Sequence, residues 1–225
     1  MLQLERINDR EEANRVVLDN LSKAIRCAMP GIVQSYNPIQ GTCVINLAIE
    51  SRTLNPDGSV TFAPISPISD VPVVYMGGGA FVTTYPIQPG DEALVIFSDR
   101  CIDSWWQSGG VQIPADLRMH DISDGFAIIG PRSLAKSIPN VSTTTAQFRS
   151  LDGTTFFEVA TGGVCNVVAP NGVNITGPVN IKGNVTVTGA VMATQEITAK
   201  SSVALSTHLH SGVSSGGSDT GPPVV

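Results

Sequence analysis

Charge is what this sequence has least of. Only 14% of its 225 residues are Asp, Glu, Lys or Arg, against roughly a quarter in an ordinary globular domain. With 42% hydrophobic residues beside so few charges, a lone chain would be poorly solvated. Much of its surface must therefore be covered by other subunits or by neutral polar groups, and the Thr, Asn, Ser and Gly of the second half supply the latter. Aromatics stand at 5%, too few for one large conventional core. The net charge of −6 weighs against a nucleic-acid partner, since phosphate binding needs a basic patch.

Other signals are missing as well. Cys27, Cys43, Cys101 and Cys165 show neither C-x-x-C spacing nor a regular framework. They read as small apolar core residues of a chain made in a reducing cytoplasm. Met1 to Arg15 interleaves charges instead of placing a basic segment before an apolar one, so no signal peptide is expected. No run approaches the roughly 18 apolar residues of a membrane span. Gly77-Gly78-Gly79 is followed by neither Lys nor a helix start, which makes it a turn and not a phosphate loop. His120 could do acid–base work with Asp121 or Asp124, but no nucleophile motif accompanies it. A structural polar role is the expectation there, and the chain is expected not to be an enzyme.

What is present divides into four stretches. Residues 1–29 form an N-terminal helical segment: Asn8 and Asp9 stand at capping-box spacing before Glu11 and Glu12. Leu18, Leu21 and Ile25 fall on one face, and Pro30-Gly31 ends a helix predicted over 9–28. Residues 30–135 carry β-branched runs at 32–36, 42–49, 60–65, 71–75, 80–84 and 92–97. Turn clusters separate them, as at Asn55-Pro56-Asp57-Gly58 and Gln88-Pro89-Gly90-Asp91. Five or six short strands in about 100 residues predict a small barrel, of which the OB-fold is the usual five-stranded form. Trp105-Trp106, after Asp103-Ser104, opens a short helix covering one end of that barrel.

The third stretch, 136–205, begins with irregular strands over 141–172 (Phe148, Leu151, Phe156, Phe157, Val159, Val164, Val167, Val168). From Val173 it falls into sixes. Val173, Ile175, Val179, Ile181, Val185, Val187 and Val191 are all odd-numbered, and Gly177, Gly183 and Gly189 occupy the third odd position of their hexads. This is period-2 alternation inside a period-6 repeat, short one-faced strands joined at glycine corners. A single-chain β-helix uses three hexads per coil, and about four clear hexads make little more than one coil, too few to bury an interior. Three chains that each supply one face of a prism need only one strand per layer, with every strand edge paired. The count favours an intertwined trimeric triple-stranded β-helix.

The fourth stretch, 206–225, is the tip. His208 and His210 stand at i and i+2, which puts both imidazoles on one face of a strand. Threefold multiplication gives six nitrogens about an axis, an octahedral set compatible with iron, nickel or zinc. A thin tip has little room for a core, and a metal makes up such a deficit. One transition metal ion per trimer, held by His208 and His210 of each chain, is therefore expected.

Three segments carry a resemblance. They are Ile87-Gln88-Pro89-Gly90-Asp91-Glu92-Ala93-Leu94-Val95-Ile96-Phe97-Ser98-Asp99-Arg100 with Ile102-Asp103-Ser104-Trp105; Arg118-Met119-His120-Asp121-Ile122-Ser123-Asp124-Gly125-Phe126-Ala127; and the hexads with His208-Leu209-His210 behind them. Together they cover most of residues 30–225, and the arrangement resembles the central spike, or membrane-piercing, proteins at the baseplate of contractile-tail bacteriophages. The resemblance implies an OB-fold domain, a triple-stranded β-helix and a pointed tip. It implies iron as the six-His metal, with His208 and His210 as ligands. It also implies a virion protein whose N-terminal helix and barrel meet the tail tube and baseplate, and whose tip is driven through the host outer membrane. Some relatives carry a lysozyme domain, for which this chain has no room.

Two other readings compete with the spike. A host-receptor or polysaccharide-binding tail fibre predicts exposed aromatics along the β-helix, yet no Trp or Tyr follows Trp106. A hexapeptide acyltransferase is disfavoured by the repeat count and by the lack of a histidine within the hexads.

Overall fold

The computed structural model describes residues 10–55, 57–199, 203–207 and 216. The chain is mainly β and divides into two compact units, Met1–Asn171 and Gly172–Val225.

The first unit opens with helix α1, Arg10–Ala24. Glu11 and Glu12 lie in its first turn, where carboxylates favour the helix dipole, and Arg15 pairs with Glu12 at 2.7 Å and Asp19 at 3.5 Å. The helix stops earlier than its apolar spacing predicts. Ala28, Met29, Pro30 and Gly31 instead pair with Ile96, Val95, Leu94 and Ala93, so the helix-breaking pair already belongs to a strand.

That strand is β1, Ala28–Asn37. It is followed by β2 (Thr42–Leu47), β3 (Ser51–Leu54), β4 (Val60–Ala63), β5 (Ile68–Pro72), β6 (Gly77–Gly78), β7 (Phe81–Val82), β8 (Glu92–Phe97), helix α2 (Asp103–Ser108) and β9 (Gly125–Ile129). Five of them make one antiparallel sheet in the order β5-β2-β1-β8-β9. The sheet curls into a half-barrel. Register shifts between Val33 and Ser35 and between Cys43 and Ile45 bend it, as bulges do. Its two edges approach through a parallel bridge, Val73 to Ala127, with the Val74 N–H donating to the Ala127 carbonyl at 2.8 Å.

Alternation fills the interior. Cys43, Ile45 and Leu47 of β2 and Ala93, Val95 and Phe97 of β8 point inward, and Val33, Ile68, Val71, Ile87 and Ala127 complete the core. Gly31 is fixed by close approach, since a Cβ there would stand 2.5 Å from the buried Cγ2 of Ile45. The cysteines split two ways. Cys43 and Cys101 are buried as expected, whereas Cys27 and Cys165 are exposed, and all four are free thiols.

Two hairpins leave this sheet, β3 with β4 and β6 with β7. The first places Leu54, Val60 and Phe62 exposed on one face. The second turns at Gly79, as read from the triple glycine. Helix α2 covers the barrel where Trp105 meets the edge of Phe126, ring centres 5.7 Å apart.

After β9 the chain is tied to the barrel by Ser133, whose N–H and Oγ donate to Glu92, and by Lys136, which donates to the Gly90 carbonyl at 2.6 Å. A separate meander follows: β10 (Thr145–Arg149), β11 (Phe156–Ala160) and β12 (Cys165–Val168). In the second unit the described residues hold a small hairpin, β13 (Thr198–Ala199) with β14 (Val203–Ala204).

Candidate functional site

Between β12 and β13 the hexads form no strand within their own chain. Gly177, Gly183 and Gly189 take φ values of 120°, 156° and 147°, so each hexad ends in a backbone corner that a side chain would strain. Val173, Ile175, Val179, Ile181, Val185, Val187 and Val191 are all more than half exposed. Fully burying such a side chain stabilises by roughly 1.5–3 kcal/mol. These seven, spread over alternate positions on a backbone without ladder partners, form an extended exposed apolar surface.

The meander points the same way. Its register sets Ala146, Val159 and Cys165 in one row and Phe148, Phe157 and Val167 in the next, all on one face. Phe148, Phe157, Val159, Cys165 and Val167 of that face are exposed. The opposite face centres on Glu158, which accepts from Gln147 at 2.7 Å, Thr145 at 2.9 Å and Asn166 at 2.9 Å. These bonds, that of Gln147 foremost, hold the Glu158 carboxyl below the usual carboxylate range. One face thus centres on a satisfied polar cluster, with Phe156 and Val168 beside it, and the other is apolar and open.

His208 and His210 lie outside the described residues. The hairpin before them is anchored by Glu196, which accepts from the Ser206 N–H at 3.1 Å and from its hydroxyl.

The His120 segment is structural. Its imidazole lies 3.2 Å from both Asp99 and the Arg26 carbonyl, which ties the chain between α1 and β1 to the barrel. Asp121 caps its own turn by accepting from the N–H and hydroxyl of Ser123, and these bonds lower its pKa. Asp124 is wholly buried and taken by Arg118. This pair escaped the sequence reading, although both residues stand in one quoted segment; six positions of separation on an irregular loop carry no periodic signal. Cys101, Asp103 and Asp124 cluster tightly enough for a cation. The Arg118 guanidinium already bridges both carboxylates, so the charge a metal would supply is present.

A curled half-barrel sheet followed in sequence by a hexad segment without strand pairing makes this a mainly β protein. Residues 29–130 match the family model of the phage protein Gp138 N-terminal domain. The matched span holds the whole five-stranded sheet apart from Ala28. A comparison with curated proteins gives no match.

Proposed function

We propose that this chain is one of three in a non-enzymatic spike at the phage tail baseplate, driven through the host outer membrane when the tail contracts. The observation that carries the reading is the run from Val173 to Val191: ordered corners, seven exposed apolar side chains and no partner strand within the chain. Three copies wound as a triple-stranded β-helix would pair those backbones and bury those side chains. The exposed apolar face of the meander would likewise be covered by neighbouring chains.

The barrel order and the parallel bridge between its edges fit an OB-type domain. With α1, whose Leu18, Leu21 and Ile25 are exposed, it would form the contact with the tail tube and baseplate. Such a protein is part of the virion. His208 and His210 of three chains would clamp the tip through six imidazole nitrogens on one transition metal ion, iron by the family resemblance. Imidazole suits iron, nickel and zinc alike, so the donor set fits.

Sedimentation equilibrium tests the assembly. The expected mass is about three times the 23.5 kDa of the chain, and a stable monomer would overturn the trimer. Val187→Asp should release monomers while the barrel still melts as before, because Val187 is already 53% exposed in the single chain. Virions carrying that variant should adsorb to the host and fail to infect. Lost adsorption would instead assign the chain to a receptor-binding fibre.

A further inference from the structure

An open cleft lies where the β1–β2 turn, β5 and α2 meet. Its walls include Gln40 and Thr42, Asp70 of β5, and Asp103, Trp106 and Gln107 of α2. These residues come from the adjacent strands β2 and β5 and from the two loops, β1–β2 and β8–β9, beside them. In five-stranded barrels of this order, that strand pair and that loop pair form the face that takes oligonucleotides or oligosaccharides.

The chemistry of the walls chooses between the two. Asp70 would repel a phosphate backbone, and the nearby guanidinium of Arg118 is committed to Asp103 and Asp124 and so offers no free charge to a phosphate. The two tryptophans divide their labour. Trp105 packs on Phe126 and anchors α2, while Trp106 lies in the cleft wall at 38% exposure, its indole available to the C–H face of a sugar ring. Gln40 accepts from Asn37 through its amide oxygen at 2.7 Å, which leaves its amide N–H groups to donate. Asp70 holds a left-handed φ of 56°, a conformation costly for a non-glycine residue and concentrated at ligand sites.

We propose that this cleft binds a neutral oligosaccharide. Trp106 is the stacking platform, Asp70 and Asp103 accept from sugar hydroxyls, and the amides of Gln40 and Gln107 donate to ring and hydroxyl oxygens. The proposal rests on the barrel alone and stands or falls separately from the spike, whose test is the assembled mass.

Saturation-transfer NMR on the full chain, with maltotriose, cellotriose and chitotriose as probes and hexathymidylate as the anionic control, decides it. Transfer to at least one trisaccharide is expected, with a dissociation constant on the order of 1 mM, the strength of a shallow solvated cleft. Trp106→Ala should weaken it at least tenfold while the circular dichroism of the folded barrel is retained, and Asp70→Asn should weaken it less. Three results would overturn the proposal: silence from all three sugars, affinity unchanged in Trp106→Ala, or a preference for hexathymidylate.

Discussion

Arg118 and Asp124 meet side-on, Nε to Oδ2 at 2.6 Å and Nη2 to Oδ1 at 2.9 Å, with the Asp124 carboxylate entirely out of solvent. The Ile102 N–H adds a third bond to Oδ1 at 3.0 Å, and the same guanidinium reaches Asp103 at 2.8 Å. One pair thus holds the start of α2 against the entry to β9. Removing one partner of a buried pair leaves the other unsatisfied and costs about 3 kcal/mol or more. Arg118→Ala, which leaves the buried Asp124 carboxylate without its cation, should lower the urea midpoint of the barrel accordingly. Arg118→Lys keeps the charge but not the two-pronged geometry, and should fall between that variant and the native chain.

A second prediction concerns space. A methyl group at Gly31 would lie 2.5 Å from Ile45 Cγ2 and 3.3 Å from the Asn46 carbonyl oxygen, inside a wholly buried region. Overpacking of that kind costs about 1–3 kcal/mol. Gly78 has nothing within 4 Å of its hypothetical Cβ. Gly31→Ala should therefore reduce barrel stability in a denaturant melt, and Gly78→Ala should change it by less than about 0.5 kcal/mol.

The barrel was legible because its strands alternate plainly. Cys43-Ile45-Leu47 and Ala93-Val95-Phe97 announce an inward face, and β2 and β8 lie where the sequence puts them. The β5 strand was misplaced toward 71–75 for a physical reason. Pro72 has no N–H to give the ladder, and beyond it the chain is shared: the Val73 N–H donates to Gly41 beside β2 at 2.9 Å, while the Val74 N–H donates to Ala127 on the other edge at 2.8 Å. Local patterns do not encode such a change of partner. Strand β3 was missed because Ser51-Arg52-Thr53-Leu54 has no buried face to pattern. The hexads were legible as a repeat, yet none of them pairs as a strand within the chain.

The meander should respond to acid. Glu158 is held ionised by Gln147, Asn166 and Thr145, so its folded pKa lies below the unfolded value. A depressed carboxylate contributes stability that is present above the unfolded pKa and lost as pH falls through the folded one. The melt of the native chain should lose stability below the ordinary carboxylate range of about pH 4. Glu158→Gln should flatten that dependence and lower stability at neutral pH. An unchanged pH profile in the variant would remove Glu158 as its source.

The tip should answer to pH in a different window. If His208 and His210 of three chains hold one metal ion, elemental analysis of the trimer should find about one transition metal per three chains. Imidazole binds a metal only when neutral, so protons compete for the same nitrogens. Free imidazole takes up its proton near pH 6.5, and ligation shifts the competition lower. Metal should therefore be retained at pH 7 and released as the solution is acidified well below 6.5, with thermal stability of the tip falling in step. Changing His208 and His210 together to Ala should remove the metal at every pH and leave the barrel melt untouched. Metal that persists in the double variant would place the ion elsewhere in the chain.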